Sequence, residues 1–134
     1  MQSGGVYTWG AGECGQLGTG RCTNREIPME VAFGGAKVID VACGSGHVVA
    51  VLEGGSVCGW GLNKSGQLGL GDTATRFSPE KAESSFAKIY ASGNSSAAID
   101  NEGQLFTWGS RYDCHVHECQ INVTVALHNS IQGL

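Results

Sequence analysis

The sequence predicts an all-β chain of small antiparallel sheets stacked as blades, and three observations predict it. Its 22 glycines, against two prolines in 134 residues, break the chain too often for a helical bundle. Its tryptophans recur at a nearly fixed period, 51 and then 48 residues apart. The apolar runs between the glycines are short, β-branched and aromatic, and none sustains a helical period. A hydrophobic content of 41% with 15% charged residues excludes wholesale disorder.

The elements repeat in order. Val6-Tyr7-Thr8-Trp9-Gly10 returns as Val57-Cys58-Gly59-Trp60-Gly61 and as Leu105-Phe106-Thr107-Trp108-Gly109. Gly4, Gly55 and Gly103 stand five residues before the tryptophans, where a tight turn would feed each strand. Gly15-Gln16-Leu17-Gly18 is repeated as Gly66-Gln67-Leu68-Gly69, and the prolines are Pro28 and Pro79. Val41-Ala42-Cys43-Gly44-Ser45-Gly46-His47 with Val48 to Leu52 matches Tyr90-Ala91-Ser92-Gly93-Asn94-Ser95-Ser96 with Ala97 to Ile99. The second copy is two residues shorter between Pro79 and Gly93, a deletion that belongs in a loop. The runs 38–42, 48–52 and 57–60, then 88–91, 97–99 and 105–108, read as strands of a meander separated by glycine turns. One such unit cannot bury both faces of its sheet alone, so it must stack on its neighbours. Four short strands in a unit of about 50 residues, arranged radially, make a β-propeller blade.

These motifs resemble the repeat of the regulator of chromosome condensation family. Residues 4–52 carry one repeat, 55–100 a second, 103–110 the start of a third, and 111–134 a divergent tail. Leu68-Gly69-Leu70-Gly71-Asp72-Thr73 and Ala91 to Ala98 also resemble the retinitis pigmentosa GTPase regulator branch. The resemblance implies a propeller of about seven repeats, of which two and a fraction are present, so the expectation is an incomplete ring from a fragment or truncated form of a longer protein. An open stack leaves sheet edges free, so self-association that completes the ring is a further expectation. The family includes guanine nucleotide exchange factors for small GTPases, the founding one acting on Ran and docking on nucleosomes. Plant ultraviolet-B photoreceptors of the family carry a Gly-Trp-Arg-His-Thr motif that this sequence lacks, so Trp9, Trp60 and Trp108 are expected to pack between blades.

After Trp108-Gly109 the pattern requires Gly-Gln-Leu-Gly at 114–117, and the chain has Cys114-His115-Val116-His117 instead. From Gln120 the residues Ile121, Val123, Val125 and Leu127 alternate with Asn122, Thr124 and Ala126, which reads as one half-buried strand able to cover an open edge.

Four constellations invite chemistry, and each has a plainer reading. Cys114, His115, His117, Glu118 and Cys119 are metal-type ligands within six residues. Structural zinc draws ligand pairs from separated segments, with His128 or Cys22 available to complete a set, and an incidental tail is the better expectation. Cys43 and His47 suggest a thiolate and base, yet Ser92 and Ser96 replace them in the second unit, so a turn-packing role is expected; the family resemblance likewise makes His47 structural. Gly66 to Gly71 lacks the Gly-Lys-Ser/Thr ending of a phosphate loop. The sequons at Asn63, Asn94 and Asn122 matter only in a secretory context.

No catalytic, metal or cofactor residue is therefore assigned, and no cofactor is expected. A net charge of −4 with scattered Lys and Arg gives no reason to expect direct nucleic-acid or membrane binding. Met1 to Trp9 has no basic start with an apolar run, so cytoplasm or nucleus, with free thiols, is the expectation. The function expected is a noncatalytic protein-interaction scaffold. The alternative is regulation of a small GTPase, including nucleotide exchange, through a full-length parent.

Overall fold

In the computed structural model, which describes residues 5–110, 121–127 and 130–132, the chain forms eleven strands. They are β1 (Gly5–Gly10), β2 (Arg25–Val31), β3 (Val38–Cys43), β4 (His47–Leu52), β5 (Ser56–Gly61), β6 (Arg76–Ser85), β7 (Lys88–Ser92), β8 (Ser95–Ile99), β9 (Leu105–Gly109), β10 (Ile121–Leu127) and β11 (Ser130–Gln132). The six runs read from the sequence lie within β3, β4, β5, β7, β8 and β9. The strands build three antiparallel sheets, β11-β10-β1-β2, β3-β4-β5-β6 and β7-β8-β9.

Sheets and sequence repeats are out of phase. The second sheet takes β3 and β4 from residues before Gly55 and β5 and β6 from those after it. The tryptophan strands β5 and β9 pair backwards onto the end of the previous repeat, through Val48↔Trp60 and Ser96↔Trp108, in the order in which the meander runs read from the sequence. Adjacent repeats are thus stitched by backbone hydrogen bonds as well as by packing.

The outer strands β2 and β6 escape the sequence reading because each carries a proline, Pro28 or Pro79. Proline has no amide proton to donate, and it is tolerated in an edge strand or a bulge. Here it has both. The pairing runs Thr8↔Met29 then Gly10↔Arg25, and Gly59↔Glu80 then Gly61↔Arg76, so both outer strands bulge at the same place, around the proline.

The alternating tail does form a strand, and β10 lies against β1. Val6 pairs with Val125 and Thr8 with Val123. In the second sheet the equivalent Val57 pairs with Val51 and Gly59 with Val49. The tail thus occupies, in the same register, the position that β4 holds beside β5.

Two cores lie between the sheets. Val6 and Val31 of the first sheet meet Val38, Val48, Ala50, Leu52, Cys58 and Trp60 of the second. The opposite face of the second sheet presents Val49, Val51, Val57 and Ala82 to Ile89 and Ala98 of the third. Strand β4 is buried along its whole length because it serves both cores at once. Asp40 adds a polar tie, its carboxylate accepting the Ile89 amide proton at 3.1 Å.

Removing residues 121–134 exposes the β1 edge that β10 covers. Amide exchange at β1 is expected to rise on the order of tenfold or more while β4 and β5 keep their protection. Unchanged exchange at β1, read by NMR or mass spectrometry, would count against the pairing.

Candidate interaction surface

The blade-to-blade joints consume the polar residues of the repeat motif. Trp60 donates its indole proton to the Gln16 carbonyl at 2.9 Å, and Trp108 donates to the Gln67 carbonyl at 2.9 Å. Each glutamine turns its side chain back into its own loop, where Oε1 accepts from the Cys14 amide at 2.7 Å or the Ser65 amide at 2.8 Å. Leu17 and Leu68 are buried beside them. The last glycine of the motif lies under the indole: with φ of 70° at Gly18 and 71° at Gly69, an added Cβ would stand 2.8 Å from the tryptophan Nε1 in either place. A side chain there would push out the tryptophan that the loop exists to receive.

The glycine after each tryptophan is fixed by a different clash. A Cβ on Gly61 would stand 2.5 Å from the Gly46 carbonyl, and one on Gly109 would stand 2.5 Å from the Asn94 carbonyl. Those carbonyls accept the next amides, Leu62 at 2.8 Å and Ser110 at 3.0 Å.

His47 belongs to this framework. The Ser96 hydroxyl has one proton and donates it to the Gln67 carbonyl at 2.6 Å. It must therefore accept from His47 Nε2 at 2.8 Å, which sets the proton on that nitrogen. Both side chains are buried. Cys43, by contrast, is solvent-exposed, and local desolvation still raises its thiol above the ordinary value, the reverse of what a nucleophile needs. The histidine is a joint between blades, a contact across sheets where the sequence reading expects a role in turn packing.

The Gly66 to Gly71 loop turns its amides inward. Gly66 donates to the Asn63 carbonyl, Gly69 to the Gly66 carbonyl and Leu68 to Asn63 Oδ1. A phosphate cradle needs such amides pointing out. Asn63 is itself buried, its Nδ2 donating to Asp72 and to the Ala74 carbonyl, so this sequon nitrogen is committed in the folded chain. Cys22, Cys43 and Cys58 are free thiols, and the described residues contain no cluster of three or more metal ligands. Cys114, His115, His117, Glu118, Cys119 and His128 lie outside the described residues.

What the joints leave facing outward is the set of loops and outer strands. The sequence reading missed the charged cluster there. Arg76 grips Asp72 with both terminal nitrogens, at 3.1 and 3.0 Å, and reaches Glu80 through Nε at 2.7 Å. The guanidinium holds the Asp72 carboxyl below its usual range and is itself pushed up by the two acids. The spacing of 72, 76 and 80 looks helical, which hides a cluster that is formed by a loop and a bulged strand. The first repeat has Arg21, Arg25 and Met29 at these places, so the joints recur while the surface differs. Exposed apolar groups, Ile27 and Phe77 on the outer strands, complete this face.

The repeat model for the regulator of chromosome condensation matches residues 3–51 and 54–99, and a second model of the same repeat matches 38–67. The chain belongs to the regulator of chromosome condensation (RCC1) repeat family. Among curated RCC1-repeat relatives it is 38% identical over 109 residues to the ultraviolet-B receptor UVR8 of Arabidopsis thaliana, covering 78% of this chain and 25% of that protein. It is 41% identical over 113 residues to the human E3 ubiquitin-protein ligase HERC2, covering 79% of this chain and 2% of the ligase. It is 39% identical over 110 residues to the human X-linked retinitis pigmentosa GTPase regulator, covering 78% and 11%. Human WBSCR16 superposes with a TM-score of 0.74 at 28% identity, over 79% of this chain and 28% of that one. Yeast RCC1 (Prp20), solved bound to Kap60, superposes with a TM-score of 0.70 at 22% identity, over 96% and 33%, and shows the shared propeller fold. The RCC1-repeat chain thus spans a quarter or less of these curated relatives and about a third of the solved ones.

Two predictions follow from the joints. Trp60→Phe removes the proton donor from a buried carbonyl and should cost about 1–3 kcal/mol in chemical denaturation. Trp108→Phe should cost less, because Trp108 is only partly buried and the Gln67 carbonyl keeps the Ser96 hydroxyl. Equal losses would refute that ranking. The surface cluster supplies a pH test. The Asp72 carboxyl has a folded-state pKa below its ordinary 3.8, so its contribution is present above that value and is lost as pH falls through the lower one. Acid titration followed by NMR should loosen residues 72–80 in that window, and Asp72→Asn should abolish the transition.

Proposed function

We propose that the chain is a noncatalytic protein–protein interaction scaffold and part or a short form of a longer propeller, acting in cytoplasm or nucleus. One observation carries this reading: the side chains that the repeat motif specifies are engaged in holding sheet to sheet. Gln16, Gln67, Trp60, Trp108, His47 and Ser96 are joints, and what varies between repeats is the outward surface of loops and outer strands. A rigid frame with variable loops is the physical form of a binding module.

The second reading is regulation of a small GTPase through a full-length parent. Its support is the 39% identity to a protein named as a GTPase regulator. A nucleotide exchange factor binds the nucleotide-free GTPase and lowers the barrier to release, so it needs no nucleophile or cofactor. The solved relatives are about three times the length of this chain, and an exchange surface spread over several blades would not be assembled here.

One assay separates the two. Immobilised chain is presented with purified small GTPases, and release of a fluorescent guanine nucleotide is timed with and without the chain. The expected outcome is saturable binding of a GTPase with no change in its release rate. Accelerated release would establish the second reading, and failure to bind any member of the set would refute a scaffold for this class of partner.

A further inference from the structure

Among the described residues the third sheet has three strands where the other two have four. Among the described residues β9 pairs only with β8, whereas β1 and β5 are flanked on both sides. Leu105 is 64% exposed and Phe106 43%, while the equivalent Val57 and Cys58 are 1% and 5% exposed. Beside this edge Leu68, Ala82, Phe86, Phe106 and Trp108 line a cavity of about 260 Å³. Phe86 stacks on Trp108 with ring centroids 5.8 Å apart, so the cavity wall is preformed.

The strands that cover the equivalent edges share one pattern. Strand β2 reads Arg25-Glu26-Ile27-Pro28-Met29-Glu30-Val31, and β6 reads Arg76-Phe77-Ser78-Pro79-Glu80-Lys81-Ala82. Arginine comes first, proline fourth and a small aliphatic residue seventh in both. The arginine pairs with the glycine of Trp-Gly, the fifth residue pairs two positions before it, and the bulge between them holds the proline. The seventh residue, Val31 or Ala82, is buried in a core between sheets. Strand β9 offers the same features in the same order: Gly109 for the arginine, Thr107 for the fifth residue and Phe106 for the sixth.

From this internal symmetry we infer that the edge of β9 opposite β8 is a docking site for an extended strand of another polypeptide reading Arg-x-x-Pro-x-x-Val/Ala. The strand adds antiparallel to β9, which supplies main-chain hydrogen bonds, while the bulge accommodates a proline, which has no proton to donate, at the fourth position. The sixth residue, opposite Phe106, enters beside the cavity, while the seventh lies opposite Leu105 on the face that Val57 and Ala82 turn to the next sheet. The inference deepens the scaffold reading and rests on it, since it names one partner surface and the chemistry that fits it.

The probe is a synthetic peptide corresponding to residues 23–33 of this chain, added to the whole chain and followed by amide exchange and by the Trp108 indole resonance. Protection of β9 amides that β8 leaves free, with a shifted Trp108 signal and no response to a scrambled peptide, is the expected result. Leu105→Lys places a charge opposite the seventh residue at an exposed position, and it should weaken binding about fivefold, the worth of one cross-strand pair. Unaltered exchange in β4 and β5 reports that the variant is folded. Equal binding of the scrambled peptide, or no protection at saturation, overturns the inference. So does protection of the same amides before peptide is added, whether in a monomer, where the chain covers its own edge, or in a dimer found by sedimentation. A chain that binds a GTPase yet ignores the peptide refutes the docking edge and leaves the scaffold reading intact.

Discussion

The indole-to-carbonyl hydrogen bond is the contact on which the stack depends. Trp60 and Trp108 reach across an interface between sheets to the backbone of a glycine-rich loop, at 2.9 Å in both places. A buried indole N–H must find an acceptor or cost free energy, and a buried carbonyl carries the same demand. One bond satisfies both, and it holds only while the loop keeps its shape. The glutamine fixes that shape from within, and the glycine beneath the ring keeps the approach open. The glutamine and the last glycine of Gly-Gln-Leu-Gly therefore have a reason to be where they are, and the reason is the indole of the next blade.

This cross-blade logic explains how well different parts of the chain could be read. A fixed period in Trp, Gly and Gln identifies the joints because those residue types have one geometric task that recurs. Strands β4 and β8 are readable because apolar runs between glycines have few other uses. Strands β2 and β6 were hidden because proline argues against a strand unless a bulge at an edge accommodates it, and a bulge is a property of two paired segments. The phase between repeats and sheets was legible in the runs 38–42, 48–52 and 57–60, which glycine turns join into one meander across the repeat boundary at Gly55.

The surface was the least readable part, and charge explains why. Asp72, Arg76 and Glu80 are four residues apart, a spacing that suggests a helix face, and they meet only because a loop and a bulged strand fold together. Exposed ion pairs contribute little to stability, about 0–1 kcal/mol, so the fold does not require them to recur, and the first repeat lacks the acids. A motif constrained by packing repeats, whereas a surface free of packing can diverge.

Burial asymmetry along the stack carries the same argument to its end. Strand β4 sits between two cores and is wholly buried, while its counterpart β8 has one core and leaves Ala97 and Ile99 only partly covered. Leu105 is exposed where Val57 is not, although both occupy the same register within a tryptophan strand. The sequence changes little between these positions; the neighbours change. Stability in such a chain is a property of interfaces more than of units, since each added sheet converts exposed apolar positions of the previous one into core. The tail strand β10 extends the first sheet at one end, taking beside β1 the register that β4 holds beside β5. At the other end the third sheet presents a face and an edge whose residues already have the character of an interior.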